Sequence, residues 1–158
     1  MKTNKKKVLI ALDYDTTAEK VAKQGLLIAK SMNAEVILIH VTTDPINYNS
    51  IDHVTIMGFA GYLDTSNQQI TSSAGLKKAS KQYLDKAKQH LADKTIQTIV
   101  GDGDVAESIL KTAKEEKVDI IVMGSHGRKS LEYVIIGSIT GKVLQTTPIP
   151  VIIIPTKN

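Results

Sequence analysis

Gly124-Ser125-His126-Gly127 and, after nine intervening residues, Gly137-Ser138 carry the residue types of an anion cradle. Glycines let a backbone come close to a phosphate and turn successive N–H groups toward it. Gly137-Ser138 also opens a short helical pattern, and a helix N-terminus offers unbonded N–H groups and the positive end of its dipole. Ser138 and Thr140 add hydroxyl donors, and Arg128 and Lys129 add positive charge beside the first glycine pair. The two pairs read as two jaws of a polyphosphate site. Two ordinary turns that need glycine are the bland alternative, and spacing alone leaves both open.

Two further glycine patterns fail on chemistry. Gly101-Asp102-Gly103-Asp104-Val105-Ala106 has the outline of a dinucleotide fingerprint. Its aspartates would stand where a pyrophosphate must lie, and like charges repel. The acid expected about 20 residues on should end the next strand, whereas Asp119 opens it. A tight turn into a capped helix is the better reading. Gly137-Ser138-Ile139-Thr140-Gly141-Lys142 looks like the end of a phosphate loop. It is one residue short, it has Val143 where Ser or Thr would hold magnesium, and it falls within a helical pattern.

The remaining reactive residue types suggest no catalytic centre. Cysteine is absent, which removes thiol nucleophiles, disulfides and Cys-based metal sites. The histidines are His40, His53, His90 and His126, and no two have metal-ligand spacing on a helix. His40 reads as a satisfied core histidine in a strand, His90 as a helix-surface residue, and His126, inside the glycine loop, as a candidate phosphate contact. His53 yields no reading. No Ser-His-Asp arrangement can be placed. Asp13 and Asp15 are more simply a strand-end acid and a turn residue than a catalytic pair.

These groups need a scaffold, and the hydrophobic pattern supplies one. Five apolar runs rich in Val and Ile, Val8–Leu12, Val36–Val41, Thr95–Val100, Ile120–Met123 and Val151–Ile154, suit parallel strands covered on both faces. Helical patterns separate them. The first starts at Thr16 with a capping box to Glu19, buries Ala18, Val21, Ala22, Leu26, Ala29 and Met32, and ends at Asn33. The second runs over 73–91 with Leu76, Tyr83, Leu84, Ala87 and Leu91 inward. The third starts at Asp104, with a capping box to Glu107, and buries Val105, Ala106, Ile109, Leu110 and Ala113. The fourth runs over 138–145 with Ile139, Val143 and Leu144 inward, and Pro148 and Pro150 end it. The alternation of strand and helix predicts a doubly wound α/β fold: one parallel sheet with right-handed crossovers and helices on both faces. Ligands of such sheets bind beyond the carboxyl ends of the strands. A segment over about 42–72 has no clear period and holds Ile51, Val54, Ile56, Met57 and Phe59. A loop of this length reads as a cover or an interface.

The chain has 158 residues, of which 42% are hydrophobic and 23% charged, as expected of one globular domain spanning 1–158. Its net charge of +4 comes from Lys2, Lys5, Lys6 and Lys7, in a basic tail over 1–7. Without them, basic and acidic groups balance. A basic folded face for nucleic acid is therefore not expected. No apolar run is long enough for a membrane span, and the N-terminal apolar run stops at Asp13 and reads as a strand. The expected setting is the cytoplasm.

The stretch VDIIVMGSHGRKSLEYVIIGSITGKVLQTTPIPVIII resembles the C-terminal signature of the universal stress protein family. Gly124, Gly127, Gly137 and Ser138 match its G-2x-G-9x-G-[S/T] motif without gaps. The likeness extends to VLIALD, VILIHV and VGDGDVAESIL. It implies an adenine-nucleotide alpha hydrolase-like fold of five strands in the order 3-2-1-4-5 with four helices. It also implies ATP bound between the loops after strands one, two and four. By that resemblance Asp13 binds the ribose hydroxyls, and Ala11, Val41 and Met123 frame the adenine. Gly124 and Gly127, with His126 and Arg128 in the same loop, line the ribose and phosphates. Gly137, Ser138 and Thr140 hold the phosphates from the helix end. The branch around the founding member departs from the motif and does not hold ATP; this chain keeps it. Many relatives follow the first Asp with small residues, where this chain has Tyr14-Asp15-Thr16-Thr17. Tyr14 either narrows the site or stacks outside it. Asp15 adds negative charge that weakens triphosphate binding or recruits a divalent ion. Magnesium could accompany the nucleotide, but no residue is an evident ligand for it.

The leading expectation is an ATP-binding, nucleotide-dependent sensor or switch in the stress response, not an enzyme, which changes its protein partner with ATP occupancy. A slow ATPase or phosphotransferase using His126, Arg128 and Lys129 is the first alternative. A non-catalytic dimeric interaction module is the second. The final strand, Pro150–Ile154, is apolar, and the resemblance puts it at a sheet edge, where pairing with a second copy is favoured. The protein is therefore expected to be a homodimer, with twice the chain mass by light scattering at micromolar concentration. A monomer mass would refute this.

Overall fold

Runs of Val and Ile pack well on a pleated surface buried from both sides, and here they form the centre of the molecule. The structure, a computed structural model, describes residues 4–14, 16–42, 73–125 and 136–156. The strands are β1 (Lys7–Ala11), β2 (Glu35–Thr42), β3 (Gln97–Asp102), β4 (Ile120–Gly124) and β5 (Val151–Ile154). They form one parallel sheet in the order β3-β2-β1-β4-β5, as expected. The helices are α1 (Ala18–Ser31), α2 (Ser73–His90), α3 (Val105–Glu115) and α4 (Ser138–Thr146). Most of the segment over 42–72, with His53, lies outside the described residues, as do Asp15 and 126–135, which include His126, Gly127, Arg128 and Lys129.

Side chains alternate across a strand, so each strand feeds two cores. Val8, Ile10, Leu12 and Tyr14 join Val36, Leu38 and Val122 under α1 and α2. Leu9, Ile37, Ile39, Val41, Ile121 and Met123 pack on the other face against Ala106, Ile109 and Ala113 of α3 and Val143 of α4. The interior of α2 is as predicted: Leu76, Tyr83, Leu84 and Ala87 are buried, and Leu91 packs against them.

Several boundaries differ from the pattern reading, each for a local reason. β3 begins two residues later than expected. Asp93 Oδ1 accepts from the backbone N–H and the hydroxyl of Thr95 (2.9 and 2.6 Å), making a turn, while pairing with β2 continues to Thr42↔Asp102. α1 has Thr17, not Thr16, as its N-cap. Thr17 makes no side-chain cap bond, and the Glu19 carboxylate of the first turn meets Lys23 Nζ at 2.6 Å and His90 Nε2 at 2.9 Å. Met32 is 36% exposed because it is the C-cap residue, past the last inward turn. Asn33 follows with φ 52°, Asn33 N–H bonds Lys30 O, and Ala34 N–H bonds Ala29 O. This is a Schellman ending, as predicted at Asn33. Ile139 and Leu144, expected inward, are 42% and 40% exposed. α4 rests against α3 through a narrow stripe, and only Thr140 and Val143 of α4 are buried. Lys6 and Lys7 are not free tail. Lys7 lies in β1 and its N–H donates to Asp119 Oδ2 (2.9 Å), while Lys6 Nζ meets Asp119 Oδ1 (3.2 Å). These contacts, the backbone one first, hold the Asp119 carboxyl below its ordinary range.

His40 is the buried core histidine expected of it. Its Nδ1 lies 2.6 Å from Ser80 Oγ of α2, Tyr14 stacks on its ring at 4.0 Å, and Tyr83 meets the ring edge-on at 5.6 Å. Burial pushes its pKa down to about 3. The unfolded chain takes up the proton near the ordinary value of 6.5, so this stabilisation is complete above that pH and is lost as pH falls toward 3. By pH 5 the loss is about 2 kcal/mol, before most carboxylates titrate. Urea unfolding at pH 7.5 and pH 5 is expected to show this drop in the native chain and to lose most of it in His40→Asn. An equal drop in both would disprove the assignment.

Candidate functional site

The carboxyl edge of the sheet is where those predicted residues that the structure describes meet. β1 pairs with β2 through Ala11↔Ile39, and Leu12 N–H continues that ladder to Ile39 O (2.9 Å), carrying the chain past the strand end. Leu12 and Tyr14 face the α1/α2 core, so alternation puts Asp13 on the same side as Leu9 and Ala11, where it is exposed. Ala11, Val41 and Met123 all belong to the α3/α4 face, with Ala11 half-buried and the other two buried. They form an apolar floor beneath an exposed carboxylate.

Tyr14 neither narrows this site nor stacks outside it. It is buried on the opposite face of the sheet, against His40 and Tyr83. The departure from small residues after Asp13 is thus absorbed by the core.

Gly124 and Ser125 are fastened to the start of α4. Ser125 N–H continues the β4–β5 ladder to Ile154 O (2.9 Å). Ser125 Oγ accepts from Thr156 N–H (3.0 Å) and lies 3.0 Å from Thr156 Oγ1. Across the site, Gly137 N–H donates to Ser125 O (2.6 Å) and Thr140 Oγ1 donates to Gly124 O (3.0 Å). A Cβ on Gly124 would lie 3.0 Å from Thr156 Cγ2 and 3.2 Å from Val21 Cγ2, so packing alone already favours glycine there.

These bonds divide the predicted phosphate contacts. A hydroxyl has one proton, and Thr140 gives its proton to Gly124, so it cannot also donate to a phosphate. Gly137 N–H is likewise engaged. The first bond within the helix is Gly141 N–H to Gly137 O (2.9 Å), which leaves the N–H groups of Ser138, Ile139 and Thr140 at the open end of α4. Ser138 itself is exposed. The described residues thus fit an anion at the α4 end, an acceptor of hydroxyl groups at Asp13, and an apolar group on the floor between them. His126, Gly127 and Arg128 lie outside the described residues.

The rejected patterns are accounted for. Gly103, at φ 87°, makes the turn after β3, and Asp104 caps α3 by accepting from Glu107 N–H (2.9 Å). That bond, followed by the contact with Lys142, lowers the Asp104 pKa. Lys142 Nζ is 3.0 Å from Asp104 Oδ1, so it serves the α3–α4 contact. Among the described residues no three His, Cys, Asp or Glu side chains are grouped to hold a metal, and no helix is long and apolar enough to cross a membrane.

The model of the universal stress protein family matches residues 5–155. The chain belongs to the universal stress protein family. It is 32% identical over 158 residues to universal stress protein MJ0577 of Methanocaldococcus jannaschii, covering 97% of this chain and 96% of that one. The solved structure of MJ0577 superposes with a TM-score of 0.69 at 28% identity, over 97% of each chain. The family fold is also seen in a universal stress protein solved in complex with cAMP (TM-score 0.61, 17% identity, 98% of this chain and 100% of that one). Another is a universal stress protein of Archaeoglobus fulgidus solved with dAMP (TM-score 0.56, 18% identity, 94% of this chain and 96% of that one).

Three residues that hold this edge in place carry no signal of that role in the motif: Ser125, Thr156 and Tyr83. The helical pattern gives Tyr83 only an inward position, and its hydroxyl donates to Asp13 O at 2.6 Å. A phenol on an apolar helix face needs a polar partner, and that was the available signal. Thr140→Val keeps the shape of the side chain but leaves the Gly124 carbonyl without its donor. It is expected to cost about 1–3 kcal/mol in urea unfolding, against less than about 0.5 kcal/mol for Thr146→Val, exposed on the same helix. Equal costs would show that the hydroxyl does not join the jaws.

Proposed function

We propose that this universal stress protein binds an adenine nucleotide, ATP foremost, at the carboxyl edge of β1, β2 and β4. In this reading it works in the cytoplasm as a nucleotide-dependent switch in the stress response. The observation that carries the reading is the convergence at one edge of an apolar floor (Ala11, Val41, Met123), an exposed carboxylate (Asp13) and the open end of α4. The floor takes the adenine, and the Asp13 carboxylate accepts from the ribose hydroxyls. The N–H groups of Ser138, Ile139 and Thr140 and the Ser138 hydroxyl receive the phosphates. The full G-2x-G-9x-G-S motif adds Gly127, with His126 and Arg128 beside it. Two proteins of this fold were solved with adenine nucleotides, cAMP and dAMP, in keeping with adenine as the base. Magnesium would enter with the triphosphate. Nucleotide occupancy selects the protein partner, which requires different affinities for the two states. The edge position of β5 supports the homodimer reading.

Switching is put ahead of hydrolysis because the groups gathered at the edge, the apolar floor, Asp13 and the open end of α4, are suited to holding a nucleotide. The test is to purify the chain without added nucleotide, denature it, and identify the released small molecule by chromatography and mass. About one ATP per native chain is expected, and Asp13→Ala and Gly127→Val should release little. Release of nothing, with no thermal shift on adding ATP, would overturn nucleotide binding. ADP or AMP in its place would favour slow turnover. Partner binding that is equal with and without ATP would overturn the switch.

A further inference from the structure

Asp13 stands just beyond β1, and the direction of its carboxylate depends on how its main chain is held. Two contacts hold it, both on the far side of the sheet. The Tyr83 hydroxyl, from the third turn of α2, donates to the Asp13 carbonyl at 2.6 Å. The next side chain, Tyr14, is buried against the His40 ring at 4.0 Å and meets Tyr83 edge-on at 5.0 Å. His40 is held in turn by Ser80 of the same helix. Asp13 therefore presents an exposed side chain from a main chain tied down on its inner side. Tyr83 is buried and far too enclosed to touch a ligand at the edge itself.

We propose that Tyr83 is a positioning residue for ribose recognition: by holding the Asp13 carbonyl, it sets the Asp13 carboxylate for the two ribose hydroxyls. This rests on the ribose role given to Asp13 above. Tyr83 then governs discrimination between nucleotides with and without those hydroxyls, and leaves binding of the base and phosphates alone. A bidentate acceptor loses its advantage when its backbone can turn, so the effect belongs to the sugar.

The experiment is calorimetric titration of the nucleotide-stripped full chain with ATP and with 2′,3′-dideoxy-ATP, in native protein, Tyr83→Phe and Ser80→Ala. Native protein is expected to prefer ATP. Tyr83→Phe should lose about three- to tenfold in ATP affinity, the scale of one hydrogen bond, with dideoxy-ATP affinity unchanged. Ser80→Ala disturbs the same buried cluster without removing the phenol, and it should keep the native preference. If native protein prefers ATP and Tyr83→Phe keeps that preference, or weakens both ligands equally, Tyr83 is structural only and the proposal fails. The proposal also fails if Ser80→Ala loses the preference as fully as Tyr83→Phe. If native protein binds both nucleotides equally, the ribose role of Asp13 fails and the proposal falls with it. Should Tyr83→Phe not fold, the same ratio measured on Tyr83→Met decides the question.

Discussion

β1 is hydrogen-bonded on both sides, to β2 through five residue pairs and to β4 through three, all parallel. Every other part of the molecule takes its place from that strand. Parallel pairing sends the carboxyl ends of β1, β2 and β4 to one edge and obliges each connection to cross back over a face as a helix. Val8, Leu9 and Ile10 are wholly enclosed, so shifting the strand by one residue would swap the two cores. The register that buries these side chains also sets Ala11 beside the level of Met123 and delivers Asp13 past the edge. The site is a by-product of how the core must pair.

On this edge, packing and the proposed ligand chemistry share residues. Gly124 is favoured by the close approach of Val21 and Thr156, whatever its part toward a phosphate. Thr140 and the Gly137 N–H are committed to the loop after β4. What remains for an anion is the set of N–H groups behind them and the hydroxyl of Ser138. The members of one motif can therefore divide the labour: Thr140 and the Gly137 N–H hold the backbone at Gly124 and Ser125, and the neighbouring N–H groups stay open.

The sheet order and the burial of most helix faces were legible in the sequence because strand and helix periods differ and the apolar runs are short and uninterrupted. The site's location followed from topology, since Gly124, Gly137 and Asp13 each sit at a strand end or a helix start. Helix ends and partial faces were less legible. Thr16 and Thr17 look alike to a capping rule, and the helix begins after the second of them, with Glu19 turned to Lys23 and His90. Ile139 and Leu144 look inward by composition, but α4 touches its neighbours along too narrow a stripe to cover them. The inward turn of Tyr14 depends on a partner 26 residues away, His40, and on helix α2 beyond it. No local pattern carries that information.

The hydrogen bonds that join Gly124 to Thr140 and Ser125 to Gly137 bear on the thermodynamics of any ligand. A glycine-rich loop left to itself has many conformations, and fixing them at the moment of binding would oppose association. Here the end of β4 and the start of α4 are ordered by folding, under the same cooperative transition that forms the sheet. A ligand arriving at that part of the edge meets groups already in place. Its affinity there is set by contact and desolvation, with little conformational entropy left to lose.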